Sequence, residues 1–129
     1  MSEGSDPQTK TDRTAPIDPR FTTEHQFDVK VQGNGFNKYA SDGSFLRCVN
    51  VAALKTDIQD GDFVVIQRQK ENLIEVSAKR VRKNGNGIEL VNETDDPRLI
   101  DQVIFLDHEK DNITILGKIL WTYQNLENL

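Results

Sequence analysis

Cysteine occurs once, at Cys48, so the chain cannot form an internal disulfide. Its neighbours, Phe45-Leu46-Arg47 and Val49-Asn50-Val51, are largely apolar, which predicts a buried and inert thiol. Histidine is nearly as scarce, with only His25 and His108. These isolated groups do not supply the clustered ligands that a zinc ion requires, so no metal and no cofactor is expected. No apolar run approaches the ~20 residues of a membrane-spanning helix, and the N-terminus lacks the charged-then-apolar pattern of a secretion signal. A soluble, cytoplasmic protein with no membrane role is expected, in which Asn92-Glu93-Thr94 and Asn112-Ile113-Thr114 carry no glycan. A basic surplus is missing too. The 16 Lys and Arg are outnumbered by 21 Asp and Glu, a net charge of -5. Phosphate binding needs cations gathered on one face, so direct DNA binding is not expected.

At 129 residues the chain has the length of one domain with a single sizeable core. The hydrophobic fraction of 36% is low, and much of the shortfall lies before Phe21. Residues 1–22 read as a disordered polar tail or linker, in which Pro7, Pro16 and Pro19 block helix and sheet pairing. Two readings of it stay open: a linker from a preceding domain, or the start of a short protein. The tail is too short and too polar to be a helix-turn-helix. Residues 23–129 read as the folded domain.

Within that domain the apolar pattern has period two. Phe27, Val29 and Val31 share a face of one strand, with polar residues on the other. Phe45 to Val51 reads as the next strand, after the Asp42-Gly43 turn. Residues 52–59 are ambiguous, a loop with one helical turn. Asp60-Gly61 opens a strand whose continuous run Phe63-Val64-Val65-Ile66 predicts burial on both faces. Leu73 to Lys83 is a long strand with Ile74, Val76 and Ala78 on one face and Glu75, Ser77, Lys79 and Val81 on the other. Asn84-Gly85-Asn86-Gly87 is a hairpin signal leading into Gly87 to Val91. Gln102 to Leu106 is a further strand, Asp107 to Asn112 a charged turn, and Ile113 to Tyr123 the last strand. No long amphipathic helix is legible. The fold class is mainly β, with about seven short strands.

Two segments carry the chemistry. One is Gly33-Asn34-Gly35-Phe36 followed at fixed distance by Asp42-Gly43; the other is Val76-Ser77-Ala78-Lys79-Arg80-Val81. Together with Asp60-Gly61-Asp62-Phe63-Val64-Val65, in this order and spacing, they resemble the C-terminal domain of the LexA/CI-type serine–lysine autopeptidases. The resemblance covers most of Val29 to Trp121. It implies a LexA-like C-terminal fold, a barrel-like twisted sheet, and a homodimer. In that family a glycine, an acidic residue and the nucleophilic serine lead towards the Asp-Gly turn, and a later strand carries the lysine that accepts the serine's proton. By this resemblance Lys79 is the former general base, and Gly35 stands in place of the serine. Asn34 replaces the acidic residue and Phe36 the usual methionine. The family cuts itself at Ala-Gly or Cys-Gly, and neither dipeptide precedes Gly35.

A backbone without a side chain at Gly35 cannot attack a carbonyl, so no catalytic residue is expected. The resemblance then implies a non-cleaving domain acting in dimerisation and transcriptional regulation, as half of a phage-type repressor or as a stand-alone partner of a LexA/CI-type repressor. An autopeptidase using Ser44 or Ser41 with Lys79 is the alternative from the enzyme class. A peptide-binding domain using the vacated groove is a third. Lys79-Arg80-Val81-Arg82-Lys83 alternates its charges between faces and is not one basic patch. Ile113, Ile115, Ile119, Trp121 and Tyr123 share one parity of the last strand, which is apolar on both faces and hazardous as an exposed edge. They are the expected dimer interface, with Trp and Tyr as anchors.

Overall fold

A computed structural model describes residues 9–10, 17–55 and 57–124. Most of the expected tail and the last five residues lie outside these. The strands are β1 (Thr9–Lys10), β2 (Gln26–Lys30), β3 (Phe45–Asn50), β4 (Phe63–Lys70), β5 (Leu73–Asn84), β6 (Gly87–Val91), β7 (Val103–Phe105) and β8 (Ile113–Tyr123). A single turn of helix, α1 (Leu106–Glu109), separates β7 from β8. One antiparallel sheet holds all eight strands, in the order β1-β2-β3-β8-β4-β5-β6-β7.

The mainly β class stands, and β6 and β8 begin and end where the alternation places them. Three local differences have physical causes. Thr9 and Lys10, inside the expected tail, pair with Val29 and Asp28 and extend the sheet beyond β2. Leu106 leaves the strand to start α1, because its side chain packs on a core and Glu109, at the end of that turn, ion-pairs with Arg68 at 2.6 Å. In the β5–β6 hairpin, Asn84 pairs with Gly87 across Gly85-Asn86. The positive φ falls on Gly87, at 119°, the residue that closes the turn.

The sheet is coiled enough to bury both of its sides. Val65, Leu46, Cys48, Val29, Val31, Phe36 and Ile119 form one core, flanked by Val76 and Ala78. Val64, Ile66, Val81, Leu90, Ile104 and Ile113 form the other. Strand β4 sends alternate residues into both, as its unbroken apolar run predicts. The last strand crosses between the cores. It has bulges against β4, where Ile66 pairs with Ile115 after Val65 pairs with Gly117, and against β3, where Cys48 pairs with Ile119 after Arg47 pairs with Trp121. Each bulge sets one residue out of register, so Ile113 and Ile119 enter different cores although they share parity.

The polar face of β2 differs from expectation. Asp28 is buried, because Arg47 stands directly opposite it on β3 and is buried as well. Arg47 Nε and Nη2 donate to Asp28 Oδ1 and Oδ2 at 2.6 and 3.1 Å. Burial works against the guanidinium charge, but Asp28, with help from Tyr123, holds the Arg47 pKa above its usual value. Ile74 also departs from its expected face partners. It is exposed at the β4–β5 hairpin tip, beyond the reach of the core that Val76 and Ala78 enter.

Candidate functional site

The loop from β2 to β3 is held shut by its two glycine turns. Gly33 and Gly43 have φ of 81° and 89°, a region that favours glycine. Gly33 N donates to Asp42 Oδ1 at 2.7 Å, and Gly43 N donates to Val31 O at 2.9 Å. The Asp42-Gly43 turn thus fastens the start of the loop to its end. Phe36 anchors the middle. It is buried in the first core and meets the Phe63 ring edge-on at 5.8 Å.

The same loop is tied to the chain that leaves β6. Glu93 N donates to Gly35 O at 3.1 Å, Lys38 N donates to Glu93 O at 3.1 Å, and Thr94 Oγ1 donates to Asn34 O at 2.6 Å. These bonds join the β2–β3 side of the sheet to the β5–β6 side and close it into a barrel-like form. They also set Gly35 beside Lys79 of β5.

The two meet at Asn92. Lys79 Nζ donates to Asn92 Oδ1 at 2.5 Å, and Asn92 Nδ2 donates to Leu99 O at 3.0 Å. A Cβ built on Gly35 would lie 3.6 Å from that same Asn92 Oδ1. The two positions singled out in the sequence therefore face one carboxamide. Burial lowers the Lys79 pKa, Glu75 opposes that shift, and Arg68 adds to it. A cavity of about 50 Å³ adjoins the group, with Gly35, Lys79, Asn92 and Ser77 at its polar part and Val31, Leu46 and Val76 among its apolar walls. On its other side Lys79 borders an open basin of about 440 Å³, shared with Arg68, Lys70, Glu75 and Asp101.

A family model described as Peptidase S24-like matches residues 2–120. The chain belongs to that family, which includes the LexA-like C-terminal domains. No curated protein matches the chain.

This S24-like site lacks a hydroxyl at Gly35, and the alternative serines lie elsewhere. Ser41 and Ser44 are absent from the cavity wall; their hydroxyls are 3.0 Å apart and hydrogen-bond to each other. Ser77 does line the cavity, on the strand that carries Lys79. Cys48 is fully buried, and burial pushes its thiol pKa up, out of the reactive range. The two arginines of the basic run are ion-paired: Arg80 with Glu93 at 3.1 Å, and Arg82 with Glu89 at 2.6 Å.

Strand β8 has both edges paired within the chain, to β3 and β4, so the edge hazard does not arise. Ile113 and Ile119 are buried in the chain's own cores, and Ile115 packs against the second of them. Trp121 and Tyr123 are half-buried. Tyr123 stacks on Phe45 at 5.4 Å, and Trp121 lines an apolar groove with Phe36, Tyr39, Phe63 and Leu120.

Sequence reading missed Asn92, which appeared there only as part of a glycosylation triplet. The hairpin register contained the signal. Asn84 pairs with Gly87 and Arg80 with Val91, so counting one residue further sets Asn92 against Lys79.

Proposed function

We propose that this S24-like domain no longer cleaves itself and serves as a dimerisation module in transcriptional regulation. In this reading Gly35 occupies the nucleophile's place and Lys79 is the former general base. The supporting observation is the Lys79–Asn92 hydrogen bond beside a residue that has no side chain. A general base acts only on a proton within hydrogen-bond reach. Here Lys79 Nζ donates to a carboxamide oxygen, which has no proton to give.

Association draws support from the rim of the β8 groove. Tyr39 is 48% exposed there and Trp121 is half-buried beside it. Large aromatics of this kind anchor protein interfaces. The partner is a second copy of the chain, or a LexA/CI-type repressor whose assembly it alters. The vacated cavity is a poor peptide site, since about 50 Å³ is far below the roughly 300 Å³ at which ligand pockets begin.

Sedimentation velocity tests the association directly. A dimer at micromolar concentration is expected, and Trp121→Ser should shift it towards monomer. A parent chain that sediments as a monomer, alone and with a LexA/CI-type repressor, contradicts the proposal.

A further inference from the structure

We propose that Lys79 is an accessible nucleophilic amine that takes small aliphatic aldehydes as a reversible imine. The assignment rests on where the amine sits. Its hydrogen-bond partner is the neutral carboxamide of Asn92, and among the described residues no carboxylate forms an ion pair with it. The charged groups around it come from several strands. Glu75 of β5 favours the ammonium form, Arg68 of β4 disfavours it, Lys30 of β2 shares the small cavity, and Asp101 shares the basin. With burial as the largest influence, a greater share of this lysine is uncharged than of a lysine in water. A desolvated lysine with a free lone pair is the form that condenses with carbonyl compounds.

The two spaces beside Lys79 define what it can accept. The basin gives access from solvent. The cavity behind it, about 50 Å³, is lined by Val31, Phe36, Leu46 and Val76 and is left open where Gly35 has no side chain. On the same kind of measure a water needs about 10–15 Å³ and a dry cavity of roughly 150 Å³ holds benzene, so this space takes a short alkyl chain and not a ring. The aldehyde's chain would enter that cavity, with its oxygen next to the Asn92 carboxamide.

The chemistry balances without a further reactant. The Nζ lone pair forms a bond to the carbonyl carbon while the C=O π pair moves to oxygen. The nitrogen gives up a proton and the oxygen takes one, yielding a carbinolamine. The C–O bond then breaks and water leaves with a proton from solvent, the nitrogen lone pair forms C=N, and the nitrogen returns its remaining proton to solvent. One amine and one aldehyde give one imine and one water. This reaction does not depend on whether the chain assembles.

The test is reductive trapping on the intact chain. Acetaldehyde with cyanoborohydride at neutral pH should ethylate Lys79 measurably faster than the exposed Lys38 and Lys110, because burial leaves more of its amine uncharged. Sites are mapped by proteolysis and mass spectrometry. Asn92→Asp keeps the shape but gives the amine a carboxylate partner, and should slow Lys79 to the rate of the exposed lysines. Benzaldehyde, too large for the cavity, should show no preference for Lys79. Equal rates at Lys79 and Lys38 with acetaldehyde would overturn the proposal. So would an unchanged rate in the Asn92→Asp chain, or the same preference with benzaldehyde.

Discussion

Removing Asp28 should be among the most damaging single changes to this protein. Asp28 and Arg47 are both fully buried, and their contact is bidentate, at 2.6 and 3.1 Å. In Asp28→Ala the guanidinium stays in the sheet without the carboxylate that offsets its desolvation. Breaking a buried pair on one side costs about 3–5 kcal/mol, against a total stability on the order of 5–15 kcal/mol for a domain. With an m-value of roughly 1–3 kcal/mol per molar urea, the unfolding midpoint should fall by about 1 M or more. The double change Asp28→Leu with Arg47→Met removes both charges and leaves an apolar pair of similar bulk. It should recover most of the loss, because a buried ion pair contributes little beyond its own desolvation cost. The single tryptophan, Trp121, lies directly opposite Arg47 on β8 and reports unfolding by fluorescence. A loss below about 1 kcal/mol for Asp28→Ala, the value of an exposed pair, would refute the reasoning. A double variant no better than the single one would refute it too.

Other expectations follow from single contacts. Gly117→Ala should destabilise the domain by at least about 1–3 kcal/mol, as overpacking does, since its Cβ would run into Val49 O and sit 2.8 Å from Phe27 Cζ; a thermal melt within error of the parent would contradict this. The Lys79 pKa is lowered by folding, so the folded state disfavours the charged amine below that pKa. The penalty is full below the folded pKa and fades as pH rises from there towards the ordinary value of 10.5. Lys79→Met should therefore gain most relative to the parent at low pH and less as pH rises, and a gain that grows with alkalinity would have the wrong sign. The Asp96 carboxyl, held by the Arg98 side chain and backbone, should titrate at about 2, as carbon-detected NMR would show. A titration near the ordinary 3.8 would mean that the Arg98 contact does not form in solution.

Much of the sheet was legible because its physics is local. The unbroken run Phe63 to Ile66 announced a strand with two buried faces, and it lies between β5 and β8 with a core on each side. The Asp-Gly and Asn-Gly turns placed the loops, because glycine alone adopts their backbone at low cost. What stayed hidden depends on partners distant in sequence. Asp28 looked solvent-facing by alternation, and only Arg47, 19 residues on, explains its burial. β1 is two residues long, too short for any periodicity to show. The parity of the last strand misled because bulges are not visible in alternation, so its apolar residues divide between the two cores. Gly35 and Lys79 were paired by the family resemblance, whereas Asn92, which they share, could be found only by counting outward along the hairpin.

In the proposed function Lys79 remains without a nucleophile to activate. Intact-mass spectrometry of the purified chain, before and after long incubation at mildly alkaline pH, tests it most directly. Alkali increases the neutral lysine and gives any surviving peptidase its best conditions. The parent mass should persist unchanged. Two fragments whose masses sum to the parent plus one water, absent in Lys79→Met, would contradict the claim, and the cut site would identify the bond that this chain cleaves.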